Sequence, residues 1–284
     1  VSVRRRRARH GGALWRKGQG LYVPSAGVLS NKCRDRATRG RPGDNLQSGG
    51  QRNPVALQCA FCTGSTSILQ VTRILAVRHG ETAWNRDTRI HAHTDIVLND
   101  HGRWQADRLA MALGDEPIAA FYTSDLSRAR ETAEAVARRH GAFVQVHTGL
   151  RERSFGHFEG QTWAELESRH PEEAMAWGKR LPDFAPPGGE TLLQLRERVV
   201  GTVEQLAARH PGEQVLLVAH GGVLDILYRA ATRLELQAPR SWELPNTAIN
   251  RLLWSPEGLS LVGWADTGHL QTPQGGQALD ERNA

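Results

Sequence analysis

Histidine and arginine recur at three points of this sequence where a short apolar run has just ended. Arg78 and His79 follow the first run, Arg128 comes shortly after the second, and His220 follows a later one. Arginine presents a planar set of N–H donors that matches a phosphate group, and imidazole can donate, accept or attack as a nucleophile. Brought together, these four side chains could hold and attack a phosphoryl group.

A displacement at phosphorus also needs an acid that protonates the departing oxygen. Glu152, in Leu150-Arg-Glu-Arg153, is the carboxylate that we expect to supply this proton. Taken singly, a glutamate in a charged segment is usually a solvated surface residue. The hypothesis therefore depends on a fold that brings Glu152 to the histidines and arginines.

The elements that must position these residues alternate between strand and helix. Short apolar runs predict strands at residues 74–77, 118–122, 143–146, 215–219, 250–254 and 259–264. Apolar residues at helical spacing predict helices at 99–113, 126–137, 192–206 and 223–233. This alternation predicts an α/β fold, a three-layer α/β/α sandwich around a largely parallel sheet. Ligands of such sheets bind where strands end, which is where the histidines and arginines lie.

Four motifs in chain order carry a family resemblance. They are Val77-Arg-His-Gly-Glu-Thr-Ala-Trp-Asn85, Ser124-Asp-Leu-Ser-Arg128, Leu150-Arg-Glu152 and Val218-Ala-His-Gly-Gly222. Together they resemble the histidine phosphatase superfamily, in its phosphoglycerate mutase-like branch, over roughly residues 71–265. The resemblance implies a phosphohistidine intermediate, with His79 as nucleophile and Glu152 as the acid that later activates water. It also implies phosphate binding by Arg78, Asn85, Arg128, His220 and Gly221.

Two reactions of this family are open to the chain. A mutase needs extra cations for the substrate carboxylate, which the cofactor-dependent mutases carry on an insertion after the glutamate motif. Here 67 residues separate Glu152 from His220, and residues 154–160 resemble the shorter phosphatase-type members. We therefore predict hydrolysis of the phosphomonoester of a small metabolite, with phosphoglycerate mutase as the alternative. Lys179 and Arg180 are the residues that could bind a carboxylate.

The cofactors and partners follow from this choice. The resemblance implies no metal and no organic cofactor, with 2,3-bisphosphoglycerate required only if the enzyme is a mutase. The partner that we expect is a small phosphorylated metabolite, and a second copy of the chain, forming a homodimer, is a further candidate. No apolar run has the roughly 18 residues of a membrane span, and the segment after residue 62 has no cysteine. We therefore expect a cytoplasmic protein without a membrane partner.

One departure from the family pattern opens a metal alternative. Ile90-His-Ala-His-Thr-Asp95 stands where members usually have Gln-Gly-His-Thr-Asp, and it contains His91, His93 and Asp95 at alternate positions. Alternate residues of an extended segment point the same way, so they could bind a metal as in metallohydrolases. The other interpretation is that His91 changes substrate contacts in the loop over the site.

The net charge of +6 divides unevenly along the chain. Residues 1–70 hold 13 Lys or Arg and two acidic residues, so they carry +11, whereas residues 71–284 carry −5. Residues 1–70 also lack apolar periodicity, which predicts a disordered basic tail. A transit peptide is one alternative, although the clustered arginines with interspersed glycines form no amphipathic face to support it. An overextended start, with the natural chain beginning near Val71, is another. We assign residues 71–270 to a catalytic domain and residues 271–284 to a flexible tail.

The basic tail raises two further alternatives. A nucleic-acid binder that uses this tail would suit its charge, but the negative charge of residues 71–284 disfavours that function. Cys33, Cys59 and Cys62 all lie in the tail. A redox pair or a zinc site would need further ligands or a βαβ context that the sequence does not provide, so we attribute the Cys59 and Cys62 spacing to chance.

Overall fold

The computed structural model describes residues 71–271. The expectations about residues 1–70, including the three cysteines, and about residues 272–284 lie outside these described residues. Within the described range the chain forms six strands and seven α-helices. In chain order they are β1 (Thr72–Arg78), α1 (Ala83–Arg86), α2 (Asp100–Ala112), β2 (Ala120–Thr123), α3 (Ser127–Arg139), β3 (Val144–Val146), α4 (Trp163–Arg169), α5 (Pro171–Gly178), α6 (Leu192–Ala207), β4 (Gln214–Ala219), α7 (Gly221–Thr232), β5 (Ile249–Ser255) and β6 (Gly258–Asp266).

The strands form one sheet in the order β3-β2-β4-β1-β5-β6. β3, β2, β4 and β1 are parallel to one another, whereas β5 pairs antiparallel with β1 and β6 antiparallel with β5 at one edge of the sheet. The prediction of a largely parallel sheet is confirmed.

Helices cover both faces of the sheet. On β1, Ile74 and Ala76 pack with residues of α6 and α7, and Leu75 and Val77 pack with residues of α2 and α3. Every residue of β4 is buried, as expected of a central strand with helices on both sides. The three-layer sandwich is therefore confirmed.

The register of the parallel strands brings the predicted site together. Arg78 at the end of β1 pairs with Ala219 of β4, and Thr123 at the end of β2 pairs with Val218. The three strands therefore end at the same level, and the residues that follow them, His79 among them, lie at one edge of the sheet.

Two predicted strands begin later than the apolar runs suggest. β2 begins at Ala120 rather than 118, and β3 at Val144 rather than 143. Phe143 is 92% exposed, so its apolar side chain belongs to a loop. Gly141, just after α3, has φ +62°, a conformation that glycine adopts without strain.

Candidate active site

Most of the predicted site residues line one cavity, and His220 lies directly behind His79 without lining it. The rings of His79 and His220 are 5.2 Å apart, and their exposed fractions are 3% and 0%. A cavity of about 300 Å³ opens beside them. Its lining includes Arg78, His79, Asn85, Arg128 and Glu152.

Hydrogen bonds fix both the ring and the backbone of His79. Its Nδ1–H donates to the carbonyl oxygen of Gly80 at 2.7 Å, so Nε2 is left with the lone pair. Its own carbonyl accepts a hydrogen bond from the side chain of Asn246 at 2.7 Å. The ring is thus fixed in the tautomer that a nucleophilic Nε2 requires.

Burial first, and then the charges around it, keep the ring of His79 neutral. Burial is the largest influence that lowers its pKa well below the ordinary value, and His220, Arg128 and Arg78 lower it further. The hydrogen bond to Gly80 opposes this only in part. An unprotonated imidazole at neutral pH retains the lone pair that attack on phosphorus needs.

The sequence predicts that Gly80 lets the backbone approach a ligand, and the structure shows a different reason for glycine. A Cβ added at Gly80 would lie 2.5 Å from the carbonyl oxygen of Gly102, in the first turn of α2. A Cβ at Gly102 would in turn lie 2.1 Å from the carbonyl oxygen of Glu81. The two glycines allow α2 to pack against the end of β1, which places His79.

His220 depends on a residue to which sequence reasoning gave no role. Its Nε2 lies 2.7 Å from the hydroxyl oxygen of Ser124, and this oxygen also accepts a long hydrogen bond from the N–H of Leu126. If the hydroxyl donates to Nε2, the proton of the neutral ring is on Nδ1. Nδ1 is buried and has no partner among residues 71–271, so it is available to donate to a phosphoryl oxygen. The position of Ser124 directly after β2 is the sequence feature that could have indicated a role in the site.

The two arginines are anchored through backbone carbonyls. Arg78 donates through Nη1 to Leu244 at 2.7 Å, and Arg128 donates to Thr94 and Ala92 at 3.0 and 2.9 Å. In both guanidinium groups Nε is buried without a partner in the described part of the chain. Burial, above all, lowers the pKa of Arg128 to about 10, so the side chain still carries a full positive charge at neutral pH.

The N-terminus of α3, next to Arg128, is already occupied by an anionic group of the chain itself. Both the backbone N–H and the hydroxyl of Ser127 donate to the carboxylate of Asp95, at 2.8 and 2.6 Å. The chain's own carboxylate therefore occupies the positive end of this helix. Arg128 contributes through its guanidinium rather than through the helix start.

The N-terminus of α7 holds the predicted acid instead. Both carboxylate oxygens of Glu152 accept the N–H of Gly222 at 3.0 Å, and Oε1 also accepts the N–H of Arg153 at 2.7 Å. The N–H of Gly221, one residue earlier, has no partner within residues 71–271. The first turn of α7 thus fixes Glu152 and leaves one free donor beside it.

Asn85 is another residue that lines the cavity. Its Oδ1 accepts the N–H of Thr82 at 3.0 Å in a capping box that begins α1. The amide NH₂ of Asn85 makes no hydrogen bond to a described residue, and the side chain lines the cavity. Its NH₂ group is therefore free to donate to an oxyanion bound in the cavity, and its role in phosphate binding stays a prediction.

His91, His93 and Asp95, the three residues of the alternative metal site, each contact a different partner. Nε2 of His91 contacts the hydroxyl of Thr82, and Nε2 of His93 donates to the carbonyl of Glu152 at 2.9 Å. Asp95 caps α3. The segment therefore does not gather its three side chains around one point. His91 instead lines the cavity, where burial first and then the two arginines lower its pKa to about 3.

A segment just before β5, residues 244–247, holds Arg78 and His79 in place through hydrogen bonds. It was not singled out from the sequence. The carbonyl oxygen of Leu244 accepts from Arg78, the side chain of Asn246 donates to the carbonyl of His79, and the N–H of Thr247 donates to the carbonyl of Arg78. Its sequence, Leu-Pro-Asn-Thr, carries turn residues but no catalytic pattern, so only three-dimensional contacts reveal it.

The buried neutral histidines should make the folded protein sensitive to acid. His79 and His220 both have a pKa lowered by burial first, so below pH 6.5 the unfolded chain binds more protons than the folded one. Each such histidine should lower the free energy of unfolding by about 1.4 kcal/mol per pH unit. We expect urea denaturation at pH 5.5 to give a free energy of unfolding about 2–3 kcal/mol below that at pH 7.5 from these two residues.

Two variants test this assignment. His79→Ala should reduce the loss between the two pH values by about 1.4 kcal/mol. His101→Ala, which removes an exposed histidine of α2, should leave the loss unchanged. Equal losses in the wild type and both variants would contradict the prediction.

Comparison with known proteins places the chain in a family. Residues 74–267 match the family model described as histidine phosphatase superfamily (branch 1). A phosphoglycerate mutase-like protein 4 of Arabidopsis thaliana is 37% identical, over 70% of this chain and 86% of that protein. A metal-independent phosphoserine phosphatase of the same plant is 36% identical, over 72% and 85% of the two chains.

A solved structure agrees with these relatives. The mycobacterial glucosyl-3-phosphoglycerate phosphatase, in complex with vanadate (VO₃), superposes with a TM-score of 0.63 and 30% identity. The match covers 69% of this chain and 99% of that chain. On its family model, its relatives and its fold, the chain belongs to branch 1 of the histidine phosphatase superfamily.

Proposed function

We propose that this enzyme hydrolyses phosphomonoesters of small metabolites through a phosphohistidine formed on His79. The observation that carries the proposal is the buried, neutral ring of His79, which has Nδ1 bonded to a carbonyl and lies beside two charged arginines. Phosphatases of phosphoserine and of glucosyl-3-phosphoglycerate among the similar proteins support hydrolysis as the reaction class.

In the first step, Nε2 of His79 attacks phosphorus while the bond to the substrate's alcohol oxygen breaks. Protonated Glu152 gives its proton to that oxygen, so the product leaves as a neutral alcohol. Arg78, Arg128 and the Nδ1–H of His220 face the three remaining phosphoryl oxygens. Positive groups placed where negative charge collects stabilise the transition state more than the bound substrate.

In the second step, water attacks the phosphohistidine. Glu152, now a carboxylate, takes a proton from the water as the phosphorus–nitrogen bond breaks, and the bond electrons return to Nε2. Inorganic phosphate is released with His79 neutral and Glu152 protonated, as at the start. No step calls for a metal ion or an organic cofactor, which agrees with the similarity to a metal-independent phosphoserine phosphatase.

The mutase alternative rests on the names of relatives such as the phosphoglycerate mutase-like protein. The two residues predicted to bind a substrate carboxylate, Lys179 and Arg180, do not favour a mutase. Arg180 already donates to the carboxylate of Asp225 at 2.6 Å and to the carbonyl of Leu236 at 2.9 Å, and Lys179 is exposed. A mutase would need such cations free in a water-excluding site.

One experiment separates the two reactions. The enzyme receives 3-phosphoglycerate with and without 2,3-bisphosphoglycerate, and 2-phosphoglycerate and inorganic phosphate are measured separately. We expect phosphate release to exceed isomer formation under both conditions. Isomer formed faster than phosphate in the presence of 2,3-bisphosphoglycerate would identify a mutase.

Gly222→Ala should displace the side chain of Glu152, the proposed acid, without changing that residue itself. An added Cβ would lie 2.3 Å from Oε1 of Glu152, so the carboxylate must leave its place above the first turn of α7. We expect kcat for an alkyl phosphate to fall about 10²-fold or more, the range of a lost general acid.

Gly201→Ala is the matched control for this substitution. Gly201 lies on α6, where an added Cβ meets nothing within 4 Å, and alanine favours a helix by about 1 kcal/mol over glycine. This variant should keep full activity and unfold at an equal or higher temperature. A Gly222→Ala enzyme as active as Gly201→Ala would contradict the proposed seat of Glu152.

The remaining expectations concern partners and location. None of the helices between residues 71 and 271 is both long and apolar enough to cross a bilayer. A cytoplasmic location and a homodimer stay predictions, to be checked by cell fractionation and by light scattering of the purified chain.

A further inference from the structure

Three metal-binding side chains meet away from the active-site cavity. His157 lies in a single helical turn, residues 156–158, His170 lies between α4 and α5, and Glu173 is in the first turn of α5. Their ligand atoms all lie within 4.8 Å of one another, and all three residues are half-buried. The two imidazole rings are 4.8 Å apart and nearly perpendicular.

The contact between His157 and Glu173 is unusual for an ion pair. Nε2 of His157 is 2.9 Å from Oε2 of Glu173, yet both atoms are buried and neither has a hydrogen-bond partner of acceptable geometry within residues 71–271. Two buried polar atoms that face each other without a hydrogen bond are costly. A cation between them would satisfy both lone pairs.

A second histidine–glutamate pair of the chain shows what an ordinary structural contact looks like. Nδ1 of His210 and Oε2 of Glu213 are 2.8 Å apart and form a proper hydrogen bond. The other ring nitrogen of His210 is bonded to the hydroxyl of Tyr122. No third ligand joins that pair among the described residues, whereas His170 joins His157 and Glu173.

We propose that His157, His170 and Glu173 form a Zn²⁺ site, with water as the fourth ligand. Two neutral imidazoles and one carboxylate are a ligand set that suits zinc, at bond lengths of about 2.0–2.2 Å. Tetrahedral ligands at that distance lie about 3.3 Å apart, so the observed spacing needs only side-chain adjustments to close around the ion. Zinc binding here is independent of the proposed phosphatase mechanism.

The ion would brace one wall of the active-site cavity. Glu173 and Trp177 are four residues apart on α5, and therefore on the same face of that helix. Trp177 stacks on Phe158, beside His157, and on Phe155, with ring centroids 5.3 and 4.9 Å apart. Phe155 and Trp177 both line the cavity. Zinc would thus tie the turn at 156–158 to α5 and stiffen this aromatic wall.

Calorimetric titration of the full chain with Zn²⁺ tests the site. Glu173→Gln keeps the side-chain shape and should lower the affinity for one zinc equivalent at least about 100-fold, since even outer-shell changes cost 10–100-fold. Glu213→Gln is the matched control and should keep that equivalent. Zinc held by the cysteines of residues 1–70 would be the same in both variants, so it cancels in the comparison.

Thermal unfolding gives a second readout and guards against a variant that does not fold. Zinc should raise the unfolding temperature of the wild type and of Glu213→Gln, and leave Glu173→Gln and His170→Ala unshifted. Equal zinc binding by the wild type, Glu173→Gln and His170→Ala would overturn the proposal. It would also be overturned if only His79→Ala lost the equivalent, because the ion would then sit among the active-site histidines.

Discussion

Replacing His79 by alanine should abolish both turnover and the covalent intermediate. Alanine removes the nitrogen that forms the bond to phosphorus, while the arginines that bind the phosphate stay anchored to their backbone carbonyls. We expect kcat to fall at least about 10⁴-fold. Vanadate, which resembles the transition state of phosphoryl transfer, should still bind, though more weakly than to the wild type.

The intermediate can be detected directly. Rapid mixing of the wild type with radiolabelled substrate, followed by denaturation, should give labelled protein that is stable in alkali and loses its label in acid, as a phosphoramidate does. His79→Ala should give no label, and His101→Ala should behave as the wild type. Turnover of His79→Ala comparable with the wild type, or an acid-stable label, would contradict the mechanism.

The charge distribution explains why a chain of positive net charge is proposed to attract phosphate through only a few local side chains. Residues 71–284 carry −5, and the basic excess lies entirely in residues 1–70. In the proposed mechanism, phosphate is attracted by Arg78 and Arg128, which lie beside His79, away from the surface, where their charge is less screened. Burial first, and then these charges, lower the pKa of His79, so the proposed arrangement would both bind the substrate and keep the nucleophile unprotonated.

Much of the fold was predictable because its signals are local. Asn99 caps α2 through a hydrogen bond from the N–H of Gly102, as its residue type suggests, and β4 is the uninterrupted apolar strand of a sheet covered on both faces. Within this predicted helix, Trp104 does not share the buried face of Leu109 and Leu113. Five residues turn a helix by about 140° from one apolar face to the other side, and Trp104 is 40% exposed and stacks on His101.

The sequence predicts which residues form the candidate site, but it does not predict the residues that orient them. Parallel strands that end at one level bring His79 and His220 together, and that follows from the fold class. The partners that orient them, Ser124 and Asn246, are separated from them by 96 and 167 residues. Contacts at such separation depend on how loops pack, which no local pattern encodes. The capping of α3 by Asp95 was missed for the same reason.

Glu152→Gln should separate the two steps of the reaction, because glutamine keeps the shape of the side chain but cannot give or take the proton. Its carbonyl oxygen can still accept the N–H of Gly222, so the side chain should remain in place. For an alkyl phosphate such as phosphoserine, whose alcohol is a poor leaving group, we expect kcat/KM to fall about 10²–10⁴-fold. Glu134→Gln, at a surface ion pair of α3, should leave kcat/KM unchanged.

A substrate with a good leaving group should give a different result in the same variant. p-Nitrophenolate departs without a proton, so kcat/KM of Glu152→Gln for p-nitrophenyl phosphate, which reports formation of the phosphohistidine, should fall about tenfold or less. Attack by water still lacks its base, so kcat should fall far more, with a burst of p-nitrophenol and accumulation of labelled His79. Equal losses of kcat/KM for the two substrates would rule out Glu152 as the acid, and a variant without accumulation would rule it out as the base.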